Sequence, residues 1–307
     1  MQVRTHVDDD LPPQLAARLH QESLIGSVPF ASLWNFMRGQ AVYWVLYESE
    51  RPLAILPSVK FGFGVLARLQ AMPDGLYSRP VFLEPAVDRS IAGKHLLEAV
   101  VSVGFAKVFV NDFDRQFLEV PGLALLPCNT SVVDITTGAW EPPDKKLQSE
   151  IRKAQREEVP VEEFNLDRHF DSFVDLMRRT EHRHGRRPKY SPAFYEGLAR
   201  LAQCERRIRW LVCEQDGQLA ASHIYLVEGD MLLNWQVFFD KQFSPLKPNQ
   251  WITYSIACEM ASHGVTRLNL GASPDDAESL AYYKDKWGGE AYRYPCWSRV
   301  SWLGRWW

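Results

Sequence analysis

Two stretches of this chain are variants of one another: residues 44–54, WVLYESERPLA, and residues 210–220, WLVCEQDGQLA. Without a gap, Trp44 meets Trp210, Glu48 meets Glu214, and Leu53-Ala54 meets Leu219-Ala220. Each reads as an apolar run, a polar turn (SERP, then QDGQ) and a second apolar run, which is the pattern of a β-hairpin. Downstream of each comes an apolar helix, a glycine and a strand: LLEAVVSVGFAKVFV at 96–110 and SIACEMASHGVTRLNLG at 255–271. Whole supersecondary units repeated in the same order predict a duplicated chain of the α/β (α+β) class. Chance likeness of two hairpins is the alternative, and it leaves the shared order unexplained.

The proline-containing stretch TTGAWEPPDKK (136–146) reads as a linker. Domains are therefore expected at 1–138 and 139–307, with the working cleft mainly in the second. Length and composition agree: 307 residues, 46% hydrophobic and 24% charged, suffice for two globular cores. The net charge of −3 offers no bulk attraction for nucleic acid, so any anion site must be a local patch. Five dispersed cysteines without a C-x-x-C pair predict reduced thiols rather than disulfides or zinc. The polar, acidic start MQVRTHVDDDLPP lacks the apolar core of a secretory leader, and a soluble, cytoplasmic protein is expected.

Asp144 is placed to cap a helix running to about Glu157, with Leu147, Ile151 and Ala154 inward. Lys145, Lys146, Arg152, Lys153 and Arg156 gather opposite. A second basic run, RRTEHRHGRRPK at 178–189, holds six Lys/Arg, two His and one acid. Each run by itself is an ordinary solvated face; two in one half suggest an anion-binding surface. His182 and His184 diverge on a helix, so no metal site is expected. Residues 280–297, LAYYKDKWGGEAYRYPCW, predict a helix with Leu280, Tyr283 and Trp287 on one buried stripe. Lys284 and Lys286 flank that stripe, and Gly288-Gly289 ends the helix. One lysine is then placed over a cleft and the other in water; locally, two snorkelling lysines serve equally well. Dinucleotide, Walker, nucleophile-elbow and zincin motifs are all missing, which disfavours hydride transfer, nucleotide hydrolysis and serine-type chemistry.

Taken in order, these features resemble the tandem GNAT-fold acyltransferases related to the FemABX aminoacyltransferases. The resemblance runs from PFASLWNF (29–36) through KLQSEIRKAQREEVPVEEF (146–164), FYEGLARL (194–201) and the second hairpin to SLAYYKDKWGG (279–289). It implies two GNAT-like domains and transfer of an acyl or aminoacyl group to an amine of a cell-wall, polysaccharide or small polar acceptor. It also places Lys284 at the transfer site with Tyr283 lining the cleft. Asp276, with Asp275 and Glu278 in ASPDDAESL, is the candidate base, or else a helix-capping acid. Arg152, Arg156, Arg186, Arg187, Trp235 and Lys247 are the candidate substrate-binding residues. The donor is expected to be aminoacyl-tRNA or acyl-CoA. The stretch SPLKPNQWITYSI (244–256) lacks the glycines of a usual CoA loop, which tilts the reading slightly toward aminoacyl-tRNA. Rival readings are an acyl-CoA-dependent N-acetyltransferase and a non-catalytic module for an anionic glycan or nucleotide sugar. The tail CWSRVSWLGRWW (296–307) suits either a last packed strand or peripheral contact at the inner face of a membrane.

Overall fold

The computed structural model describes residues 1–73, 75–77, 79–136, 140–272, 278–302 and 304. The chain forms two compact units, 1–128 together with 293–307, and 129–292. The sequence boundary at 138/139 lies outside the described residues.

The first unit begins with β1 (Gln2–Val7), α1 (Pro13–Glu22) and the short α2 (Val28–Ala31). The predicted hairpin follows as β2 (Gly39–Glu48) and β3 (Arg51–Phe61), then β4 (Arg68–Ala71), β5 (Val81–Phe82), α3 (Arg89–Ser102) and β6 (Lys107–Asn111). Its main strand order is β1-β2-β3-β4-β6, antiparallel except for the parallel step from β4 to β6. That step needs a crossover, and α3 supplies it. Asp88 caps α3 by accepting the Ile91 N–H at 3.0 Å, and Gly104, at φ +79°, turns the chain out of it. Leu96, Leu97 and Val100 of α3 pack on Trp44, Leu56 and Val108 of the sheet.

The chain leaves this unit along β7 (Ala124–Asp134) and enters the second through α4 (Lys145–Arg156) and β8 (Glu162–Glu163). Then come α5 (Leu166–Arg183), α6 (Pro192–Ala202), and the second hairpin, β9 (Ile208–Gln215) and β10 (Gln218–Glu228). The series closes with β11 (Met231–Phe239), α7 (Pro248–Ser262), β12 (Arg267–Asn269), α8 (Glu278–Lys286) and β13 (Glu290–Val300). Strand order is β8-β9-β10-β11-β12-β7, again antiparallel except for a parallel step, β11 to β12, bridged by α7. Gly264, at φ +87°, repeats the turn made by Gly104. In each unit a strand from elsewhere in sequence completes the sheet: β7 lies on β12, and β13 lies on β6 with Cys296 opposite Asn111. The closing strand, assigned by the sequence reading to the second domain, packs with the first unit through that ladder.

The sheet of the second unit is covered on both faces. Leu147, Ile151 and Ala154 of α4 meet Ile252 and Ile256 of α7 on one. On the other, Phe173 of α5 and Tyr195 of α6 close around Trp210. The duplicated tryptophans share a further feature. Trp44 donates its indole N–H to Ser58 Oγ at 3.0 Å, and Trp210 donates to Ser222 Oγ at 2.8 Å, all fully or nearly buried. Removing either hydroxyl leaves a buried donor without its acceptor. Ser58→Ala and Ser222→Ala are each expected to cost about 1–3 kcal/mol in urea unfolding; unchanged midpoints in both would remove these bonds from the account.

Candidate active site

Pairing of β11 with β12 runs only from Met231/Arg267 to Leu233/Asn269. Immediately beyond, β11 bulges against β10: Tyr225 pairs with Asn234 and Ile224 with Gln236, leaving Trp235 out of register. A bulge bends its strand and disrupts the ladder locally, so the sheet opens between the ends of β11 and β12. Asn269, fully buried, pins one wall: its Oδ1 accepts from Thr130 Oγ1 at 2.7 Å and from the Gly271 N–H at 2.8 Å. Asn234, on the other wall, has a buried Oδ1 with no hydrogen-bond partner among the described residues.

Helix α8 reaches this opening. Its buried residue is Lys284; Trp287, directly after the helix, is also buried, and Tyr283 is half-buried. Leu280 is exposed, so the expected stripe holds at Tyr283 and Trp287 and fails at its first residue. Trp287 is instead anchored against Trp140, ring centroids 6.1 Å apart and stacked. Lys284 is only 3% exposed, and its Nζ donates to the carbonyls of Gly271 at 2.7 Å and Ala272 at 2.8 Å. Burial pulls its pKa down to about 8. Lys286 turns outward onto the Tyr282 ring, 4.6 Å from its centroid.

Behind α8 runs a buried polar chain that the sequence reading did not identify. Asn249 Oδ1 meets His223 Nε2 at 2.9 Å, His223 Nδ1 meets the Tyr225 hydroxyl at 2.9 Å, and that hydroxyl meets Thr253 Oγ1 at 2.9 Å. Thr253 and Trp287 both neighbour the Tyr283 phenol, whose pKa burial raises to about 12. Desolvation lowers His223 to about 4, so its imidazole is neutral near pH 7. With Asn249 accepting at Nε2, as assigned from the network, the lone pair of Nδ1 faces Tyr225. The local signal was present: His223 and Tyr225 are i, i+2 in an apolar strand, and Asn249 and Thr253 are i, i+4 on the helix.

The other predicted residues fall into several places. The basic helix α4 and the basic end of α5 pack on opposite faces of the sheet, so they do not form one continuous face. Both nevertheless reach the segment between β11 and α7. Lys153 Nζ donates to Pro245 O at 2.9 Å, while Arg183 donates to Phe239 O at 2.7 Å and Arg179 pairs with Asp240 at 2.7 Å. Arg152 points instead to Gln148, and Arg186 pairs with Glu181 at 3.4 Å. Arg156 and Arg187 are exposed. Lys247 is engaged by Glu150 at 3.0 Å, which weakens it as a phosphate ligand. Trp235 lies 5.8 Å from Tyr190, ring to ring, at the bulge. Asp276 and Asp275 lie outside the described residues.

Glu162, His169 and Glu214 form the one metal-like cluster among the described residues. Its chemistry argues otherwise. His169 Nδ1 accepts the Asn165 N–H at 2.9 Å, so the proton of the neutral ring sits on Nε2, the atom facing both carboxylates. Arg168 already bonds Glu162 and Glu214, each at 3.0 Å. The cluster is a charge clasp joining β8, α5 and β9. A cavity of about 660 Å³ opens at the C-terminal end of α7, near Arg206 and His263. It holds none of the residues around Lys284, and the opening beside β11 is the better chemical site because buried groups converge there.

Comparison with known proteins follows this geometry. Residues 144–285 match the family described as acetyltransferase (GNAT) domain. No curated protein matches the chain. Among solved structures, FemX is 11% identical with a TM-score of 0.68, over 96% of this chain and 97% of that one. L-PGS from Bacillus licheniformis is 12% identical with a TM-score of 0.60, over 94% and 92%. A tandem GNAT protein from the clavulanic acid biosynthesis pathway is 12% identical with a TM-score of 0.51, over 97% and 98%. At such identities these structures speak for the fold, and the family match speaks for the second unit. Residues 144–285 thus match an acetyltransferase (GNAT) domain, and the chain as a whole shares the fold of FemX and of the tandem GNAT protein.

Proposed function

We propose that the second unit transfers an acyl or aminoacyl group from a phosphate-bearing carrier to an amine of a small polar acceptor, such as a cell-envelope precursor. The observation that carries this reading is the opening between β11 and β12 with the Lys284 ammonium at its edge. Attack of a neutral amine on an acyl carbonyl forms the new C–N bond and places negative charge on the carbonyl oxygen. Lys284 spends two of its three N–H donors on Gly271 and Ala272, and the third is available for that oxyanion or for the leaving oxygen or sulfur. Tyr283, kept protonated by burial, sits beside Lys284 to return a proton to the leaving group. Thr253, Tyr225 and neutral His223 fix its position from behind. Asp276 remains the proposed base for the acceptor amine. No nucleophilic side chain is required.

For the donor, the loop before α7 offers few ligands of the usual kind. Pro245 and Pro248 lack N–H groups, and Lys247 is held by Glu150. This poor cradle for a pyrophosphate tilts the reading toward aminoacyl-tRNA. The family match of residues 144–285 favours acyl-CoA as the second reading. Calorimetry with CoA separates them: no binding is expected, and micromolar binding would transfer the preference to acyl-CoA.

If the ammonium form of Lys284 acts, kcat/KM should fall as pH rises through about 8. Lys284→Met should lower kcat by about 10²-fold or more and abolish that limb; equal activity in the variant would end its role. His223 should stay neutral until about pH 4 by imidazole nitrogen NMR. Because its folded pKa is depressed, His223 contributes stability that is present above about 6.5 and lost as pH falls toward 4. An imidazole titrating near its ordinary value would break the polar chain.

A further inference from the structure

The first unit presents an unusual sheet end. The last ladder pairs Gly39↔Phe61, Phe61↔Arg68, Arg68↔Lys107 and Lys107↔Val300 form one row across β2, β3, β4, β6 and β13. Large apolar side chains stand exposed along that row: Phe63 is 90% exposed, Trp302 72%, Phe36 51% and Leu66 39%. Phe63 sits at a tip between Gly62 and Gly64, both with positive φ (+76° and +56°), so the turn exists to project it. Contiguous exposed aromatics mark an interaction surface.

Cations accompany them. Arg38, Arg68 and Lys107 line a hollow of about 350 Å³ at the same end, and no Asp or Glu among the described residues lines it. Arg68 stacks over the Phe61 ring, 4.7 Å from its centroid, which keeps its guanidinium at the surface. At the β1 edge the Asp8 carboxylate is occupied by Gln40 at 3.0 Å and the Ala41 N–H at 3.1 Å. Aromatic side chains that enter the headgroup layer, with Arg and Lys beside them, are the chemistry of an anionic bilayer surface. No helix among the described residues is long and apolar enough to cross a membrane, so the contact would be peripheral.

We propose that this end of the first unit docks on an anionic phospholipid bilayer, with Phe63 and Trp302 inserting and Arg38, Arg68 and Lys107 holding phosphate headgroups. The charge complementarity of the hollow selects this occupant over a second copy of the same chain. The proposal is independent of the transfer chemistry in the second unit.

The test is vesicle co-sedimentation with the full chain, comparing phosphatidylcholine alone with an equal mixture of phosphatidylcholine and phosphatidylglycerol. Binding is expected to the mixed vesicles, at least about tenfold weaker to phosphatidylcholine, and weakened by salt. Phe63→Ser with Trp302→Ser, and separately Arg38→Glu with Arg68→Glu, should each reduce it about tenfold or more. Unchanged circular dichroism and melting of both variants shows that folding is intact; should one fail to fold, the other carries the test. Absence of binding at low salt, equal binding to both vesicle types, or wild-type binding by both variants would overturn the proposal. So would a dimer in light scattering that the Phe63/Trp302 variant dissolves, because the surface would then be a self-association face.

Discussion

A lysine ammonium taken out of water must be solvated by something else, or it costs several kcal/mol. In the second unit that solvation comes from the carbonyls of Gly271 and Ala272, directly after β12. This constraint fixes where α8 can lie: the Lys284 side chain, in its second turn, must reach the mouth of the strand while Trp287 enters the core. The chain can leave the helix only because glycine follows. A Cβ on Gly289 would meet Ser131 Oγ at 2.1 Å and the Lys284 carbonyl at 3.0 Å. The close approach that ends the helix therefore also holds the lysine in place. β11 bulges on the facing wall, just beyond the last of its pairs with β12.

The same topology built twice has been put to two uses. Both units bridge one parallel step with a helix that ends in a left-handed glycine, and both borrow a last strand from elsewhere in the chain. Borrowing matters for cooperativity, because β13 cannot be removed without leaving the edge of β6 unpaired. The polar chain through His223 and Tyr225 belongs to the second unit. In the first unit the corresponding investment is at the sheet end, where aromatic and basic side chains face outward.

Much of this was legible in the sequence because it rests on local rules. The paired hairpins, the Asp144 cap, which accepts the Leu147 N–H at 2.7 Å, and the glycine stops all appear as read. What escaped depended on partners far away in sequence. Leu280 obeys helical periodicity yet is exposed, since periodicity reports a possible face and not which neighbour arrives to cover it. The burial of Lys284 was invisible because its acceptors are backbone carbonyls twelve and thirteen residues upstream. The basic runs looked like one surface in a linear string; the sheet between α4 and α5 separates them, and only their ends meet again near 239–247. His223 and Tyr225 showed their spacing, but the residues that complete their chain lie on a helix beyond an intervening strand.

The central claim is that group transfer takes place at the opening between β11 and β12 and not at the cavity near Arg206. Photocrosslinking with an acyl-donor analogue carrying its reactive group at the acyl end, followed by peptide mass mapping, tests this most directly. Adducts should fall on residues 234–236, 269–272 and 283–284. Adducts confined to the cavity lined by Arg206, Met260 and His263, or to the first unit, would contradict it.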